Sequence, residues 1–290
     1  LACAWFGLEG SAVRAVAAKP AEPRVGHTVN DFALKDLQGV SHSLAELKET
    51  PVVVVVFMGV ECPLAKLYAP RLSELAGEFT EQGVAFLAVD SNAQDSLAEM
   101  AHFARTYGLS IPFLRDGGNQ VADLFEAQRT PEAFVLDLDR VVRYRGRIDD
   151  QYGFQTGVGY QRPRAERREL SEAIEHVLEG HQVAEPITRA PGCLIGRVGE
   201  ADEKSQVTFS NQISRLFNEH CVRCHREGEI APVALSNYEE VAGWAPMIAE
   251  VVSENRMPPW HADPRYGHFS EERRLSDDEI DMLIAWIDGG

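Results

Sequence analysis

Pro51 is followed by six residues without a polar side chain among them, Val52-Val53-Val54-Val55-Val56-Phe57. A run that is apolar on both faces has to be covered on both faces, which is how a buried central strand reads. Val84 to Val89 repeats the pattern. Ala133 to Leu138 and Val141 to Tyr144 supply a third and a fourth strand, with Asp139-Arg140 between them as a two-residue hairpin connection. Helical spacing fills the intervals. Tyr68, Leu72, Leu75 and Phe79 share one face, as do Leu97, Met100 and Phe103, and Leu170, Ile174, Val177 and Leu178 form a last helix. Such alternation predicts an α/β domain, a central mixed sheet flanked by helices.

The chain has 290 residues, enough for two domains, and its 44% hydrophobic and 25% charged residues are ordinary for a globular protein. The net charge of −17 argues against nucleic acid and against anionic membrane surfaces, because both need a basic face. A basic electron-transfer partner would be steered in faster.

The segment around the apolar run resembles the thioredoxin-like superfamily, in its redoxin and thiol-disulfide carrier branch. Strand 52–57 leads into Glu61-Cys62-Pro63-Leu64-Ala65-Lys66, where thioredoxins place their redox cysteine pair and a lysine. The resemblance implies that Cys62 opens a helix, whose N-terminal dipole favours thiolate, while the Glu61 carboxylate beside it works the other way. Pro70 falls where thioredoxins kink that helix, and Thr130-Pro131 falls where they keep a cis-proline loop beside the reactive sulfur. Two departures matter. Ala65 stands where the second cysteine belongs, so Cys62 has no short-loop partner. Gly59 stands where a peroxiredoxin has Thr or Ser, which weighs against a thiol peroxidase. The catalytic candidates are therefore Cys62, Thr130 and Pro131. Cys193, in Pro191-Gly192-Cys193, is a candidate resolving thiol if the chain folds back, and a modest unpaired thiol if it does not.

Two further stretches stand out. Asp149 to Tyr160 is long, Gly-rich and aromatic, the character of a lid, a docking surface or a solvated excursion. Arg143, Arg145 and Arg147 alternate along a strand and read as a charged exposed face.

Near the C-terminal end lies Cys221-Val222-Arg223-Cys224-His225. A C-x-x-C-H run is the attachment signature of a c-type haem: two thioethers to the vinyl groups and the histidine as axial ligand. The competing readings are a zinc knuckle using His220, which lacks a second ligand pair at similar spacing, and a redox thiol pair. Met257, in Arg256-Met257-Pro258-Pro259, lies downstream as the sixth iron ligand should, with His261 and His268 as rivals. Asn211 to His220 reads as a helix leading into the motif. Ser276 and Glu279 form a capping box before Ile280, Leu283, Ile284 and Ile287. A first helix bearing the cysteine pair and a last helix packed across it resembles a class I cytochrome c, which implies one covalent haem c in a small all-α domain.

The organisation expected is thus a signal-peptide remnant or disordered start (1–21), a thioredoxin-like domain (22–182), a linker (183–206) and a cytochrome c-like domain (207–290). Haem attachment of this kind implies an exported, periplasmic protein, with Cys3 as a site for lipid anchoring. The function implied is a cell-envelope oxidoreductase, haem-mediated electron transfer coupled to a single-thiol thioredoxin-like domain and serving redox protein partners. The alternative is a non-enzymatic electron carrier whose thioredoxin-like domain only binds a partner. Fusion to a further catalytic module beyond Gly290 is a third possibility.

Overall fold

A computed structural model describes residues 25–155, 158–197, 199, 202, 204–259, 264–267, 269–270 and 272–289. The start of the chain with Cys3, and the rival ligands His261 and His268, lie outside the described residues.

The elements of the first domain run β1 (Ala33–Lys35), β2 (Ser41–Ser43), β3 (Val52–Met58), α1 (Pro63–Thr80), β4 (Val84–Asp90), α2 (Leu97–Tyr107), β5 (Phe113–Arg115), α3 (Gln120–Phe125), β6 (Arg129–Thr130), β7 (Glu132–Leu136), β8 (Val142–Gly146), β9 (Tyr152–Gln155), β10 (Val158–Gln161), α4 (Glu169–Leu178) and β11 (Cys193–Leu194). The main sheet has the order β5-β4-β3-β7-β8, with β3 parallel to β4 and antiparallel to β7. β3 is buried along its whole length. Its alternate residues feed two cores. Val52, Val54, Val56 and Met58 pack with α1, α2 and α4, while Val53, Val55 and Phe57 pack with α3, Phe32 and Leu44. Two-sided coverage is what the unbroken apolar run requires.

Several expectations need correction. Strands β7 and β8 are joined by a five-residue loop rather than a two-residue one. Asp137 Oδ1 accepts from the backbone N–H groups of Asp139 and Val141, and Arg140 takes φ +59°. Leu97 is exposed, because the Ser96–Glu99 capping box starts α2 there and turns its first residue outward. Arg145 is buried against Glu132, and Arg147 bonds Glu169 on α4, so only Arg143 of the three stays exposed. In the Gly-rich stretch, β9 and β10 pair antiparallel. The root of the stretch is built from buried Asp149, which accepts from Tyr68 Oη at 2.7 Å, and from Asp150, which accepts from the backbone N–H groups of Glu166 and Arg167.

Nor are residues 183–197 of the expected linker a free tether. Arg145 N donates to Pro186 O and Thr188 N to Arg145 O, so the segment runs along β8. β11 then pairs with β6, and Ile195 enters the α3-side core.

The second domain holds α5 (Ser214–His220), α6 (Tyr238–Gly243), α7 (Ala245–Ser253) and α8 (Asp277–Asp288). A π-helical turn over Phe209–Ile213 precedes α5, so only the latter part of the expected helix is α-helical. Ile213, Leu216, Phe217, Val241, Trp244, Ile248, Leu283 and Trp286 form its core, and Ser276 and Glu279 make the capping box of α8.

Candidate active site

Cys62 is the N-cap of α1, with extended backbone and Pro63 at the first helical position. The parallel β3–β4 pair ends here, and a helix starting at the carboxyl end of such strands presents free N–H groups to whatever sits at its cap. Cys62 is 1% exposed. Its thiol, when protonated, donates to Thr130 O at 2.9 Å. Thr130 precedes Pro131 across a cis peptide bond, as the sequence reading placed it.

β11 brings the other thiol. Cys193 lies opposite Thr130 in the β6–β11 register, which sets its thiol and backbone N–H beside the Cys62 sulfur. The approach depends on Gly192. A Cβ there would lie 1.7 Å from Thr130 O, so only a residue without a side chain lets β11 come this close. Burial opposes ionisation of Cys62. The thiol and N–H of Cys193, the N–H of Ala65 and the Thr130 hydroxyl outweigh that penalty and lower its pKa to about 6. The Cys193 thiol is pushed well above its ordinary value, first by its bond to the Cys62 sulfur and then by burial. The pair therefore splits into a nucleophile ionised at neutral pH and a proton-holding neighbour.

The helical domain covers this pair. Trp244 Nε1 donates to Glu61 Oε2 at 3.0 Å, and Met247 Sδ accepts from Leu194 N at 3.5 Å. Arg129, on β6, donates to Gly192 O and bonds Glu250 of α7. Glu61 is thus engaged by Trp244 while flanking Cys62, and burial, partly offset by that bond, raises its carboxyl.

In the second domain, Cys221 follows α5, and the N–H groups of Cys224 and His225 both return to Cys221 O at 3.0 Å. Both cysteines and the histidine therefore stand on one turn. His225 Nδ1 donates to Val233 O at 3.0 Å, which fixes the tautomer and leaves Nε2 as the free lone pair. Burial lowers the imidazole pKa, toward the neutral form a metal ligand needs. His220 turns the other way and bonds Glu279 at 3.2 Å. Among the described residues no three of His, Cys, Asp and Glu converge, as a zinc knuckle would require. Met257 follows α7 and is exposed. The Cys221–His225 turn suits a covalent haem, by its cysteine spacing and by the anchored Nδ1 of His225.

The sequence reading named Cys62, Thr130, Pro131 and Cys193, and the structure brings these four together. It missed Asn92, Asp95, Arg129, Gly192, Trp244 and Glu250, whose contacts span segments remote in sequence. Gly192 beside a cysteine was the one local signal.

Residues 25–145 match the AhpC/TSA family. A thiol-disulfide oxidoreductase ResA from Halalkalibacterium halodurans is 34% identical over 114 residues, which are 39% of this chain and 63% of that protein. Another from Geobacillus kaustophilus is 31% identical over 119 residues, 41% of this chain and 67% of that protein. The crystal structure of an uncharacterized conserved protein from Geobacillus kaustophilus superposes with a TM-score of 0.53 at 28% identity, over 62% of this chain and 96% of that one. The chain thus spans less than two thirds of the length of the first of these relatives. Among the described residues, no helix is long and apolar enough to cross a membrane.

Proposed function

Because the chain belongs, through its first domain, to the thioredoxin-like redoxins of the AhpC/TSA family, we propose that it is an exported thiol-disulfide oxidoreductase whose working pair is Cys62 and Cys193. The observation that carries this is the seat of Cys193 against the Cys62 sulfur on the cis-proline loop. It replaces the single-thiol reading that Ala65 suggests.

The Cys62 thiolate attacks one sulfur of a substrate disulfide. A mixed disulfide forms, the substrate's S–S bond breaks, and one substrate thiolate leaves. Cys193 then attacks the Cys62 sulfur, its proton passing to the departing second thiolate. The substrate disulfide has gained two electrons, and the Cys62–Cys193 pair has lost them. Resetting the pair takes two electrons and two protons from a reductant.

One haem c would be held by Cys221, Cys224, His225 and Met257, and would supply one-electron transfer with an envelope redox partner. The chain's own part is to hold His225 Nε2 forward through the Val233 bond. Trp244 and Glu250 set the helical domain on the thiol site.

A second reading is favoured by one observation. Cys62 is covered by its own helical domain, which suits an electron carrier that admits no outside disulfide. A thiol peroxidase is disfavoured, because Gly59 cannot supply the hydroxyl that chemistry uses.

Oxidised protein digested and mapped by mass spectrometry tests the pair: a Cys62–Cys193 disulfide supports it, and two free thiols overturn it. Insulin reduction separates oxidoreductase from carrier. Protein made with haem-maturation machinery tests the second domain, whose colour should survive denaturation and acidified organic solvent.

A further inference from the structure

Two cysteines on a single helical turn are held together by the helix. Cys62 and Cys193 have no such help, so something else must set their separation. The candidate lies on the loop after β4. Asn92 is buried, and both ends of its amide are engaged. Its Oδ1 accepts from Gly196 N at 2.9 Å, three residues beyond Cys193. Its Nδ2 donates to Asp95 Oδ2 at 2.9 Å, and that same oxygen accepts from Val60 N at 3.0 Å, two residues before Cys62. The next residue adds a second tie, Ala93 N to Gly196 O at 3.0 Å. A backbone N–H can only donate and a carboxylate can accept, so these partners fix the orientation of the amide.

The Cys62 turn is shaped to admit this side chain. A Cβ on Gly59 would lie 2.4 Å from Asn92 Nδ2 and 3.1 Å from Thr130 Oγ1. The glycine that departs from the peroxiredoxin pattern thus has a physical reason, since Asn92 occupies the space a side chain would fill.

We propose that Asn92, acting through Asp95, is a positioning residue that clamps the Cys193 segment to the Cys62 turn and sets the effective concentration of one thiol at the other. The clamp rests on the thiol-pair reading. It does not touch the sulfurs. It ties the backbone on either side of them, and small errors of placement are costly in an intramolecular reaction.

The test is the equilibrium of the Cys62–Cys193 disulfide against glutathione, together with the pH profile of Cys62 alkylation by iodoacetamide, both on the full chain. With Asn92→Ala the disulfide equilibrium constant falls about tenfold or more, and the alkylation midpoint moves to higher pH as Cys193 draws away from the Cys62 sulfur. Gly59→Ala displaces the amide without removing it and gives the same two changes in the event that N92A does not fold. If the clamp is the shared cause, the double variant loses no more than the worse single one. A wild-type pair that never forms a disulfide overturns the thiol-pair reading and the clamp with it. A wild-type pair that forms normally, and keeps its equilibrium and pH midpoint in both variants while only thermal stability drops, overturns the clamp alone.

Discussion

Trp244 Nε1 donates a hydrogen bond to Glu61 Oε2 at 3.0 Å, and Glu61 immediately precedes Cys62. The helical domain therefore grips the reactive turn of the thioredoxin-like domain directly. With Arg129–Glu250 and Leu194–Met247 it holds β11 down at the same place. The same small domain that covers the thiols carries the Cys221–His225 turn.

Trp244→Phe removes that donor while keeping an aromatic ring in the core. The expected loss is about 1 kcal/mol, because Glu61 keeps some solvent. Burial already raises the Glu61 carboxyl and the Trp244 bond opposes this, so the variant raises it further. A group whose folded pKa is raised contributes stability at low pH and loses it as pH rises. The W244F penalty should be smallest near pH 4 and complete at neutrality, and urea midpoints at both pH values check this. A penalty independent of pH would mean that the indole bond does not act on the carboxylate.

Cys193→Ala strips the nucleophile of its thiol donor. Burial of Cys62 persists, so its pKa should climb from about 6 toward the ordinary thiol range. Alkylation at pH 7 then slows about tenfold or more, since the thiolate is the reacting species. Mixed disulfides with added substrate should also accumulate, because nothing resolves them. An unchanged pH profile would show that Cys193 does not support the thiolate.

Much of the fold was legible from local period. The covered run of β3, the buried face of α1 and the capping box of α8 each follow from residues adjacent in sequence. Arg145 and Arg147 were misread because alternation says which way a side chain points, not what lies there. Their partners Glu132 and Glu169, and the segment around Pro186 that covers β8, come from elsewhere in the chain. Cys193 was half legible, as a spare thiol without an address. Its address needed the β6–β11 pairing, and two residues do not make a recognisable strand pattern.

Gly192→Ala would set a methyl group 1.7 Å from Thr130 O, against backbone that cannot yield cheaply. β11 should leave β6, costing about 1–3 kcal/mol as overpacking does. The pH midpoint of Cys62 alkylation should rise, as when Cys193 is replaced, and the Cys62–Cys193 disulfide should fail to form. Retention of both properties in the alanine variant would contradict the close pairing.

Met257 can be tested apart from the proposed haem attachment. Cys221→Ala or Cys224→Ala should lose a thioether, and with both replaced the pigment should extract into acidified organic solvent. Met257→Ala should keep covalent haem, lose the sulfur-to-iron band near the red edge of the spectrum, and lower the reduction potential, since thioether ligation raises it. A spectrum unchanged by this substitution would leave another residue as sixth ligand.

Beneath the Cys62 turn sits an acid pair whose pH dependence can be worked out. Asp90 is fully buried, and its Oδ1 accepts from Asn92 N at 2.9 Å and Arg115 Nη1 at 3.3 Å, while its Oδ2 is buried without a hydrogen-bond partner among the described residues. Burial, then the Asp95 charge, push the Asp90 carboxyl well above its ordinary value, against the pull of Arg115. Asp95 is raised as well, first by burial, although its bonds to Val60 N and Asn92 Nδ2 oppose the shift. Of the two carboxyls, Asp90 is therefore the one that holds a proton more readily. Both folded pKa values exceed their unfolded ones, so this stabilisation is complete at acidic pH and drains away as pH rises through the folded values. Asp90→Asn keeps the Oδ1 acceptor and removes a like charge from beside Asp95. The variant should be more stable than wild type at pH 8, by about 1–2 kcal/mol, and its stability should change less between pH 4.5 and pH 8. Denaturant midpoints across that range decide the matter: parallel curves for the two proteins would mean that Asp90 carries no extra proton in the folded state.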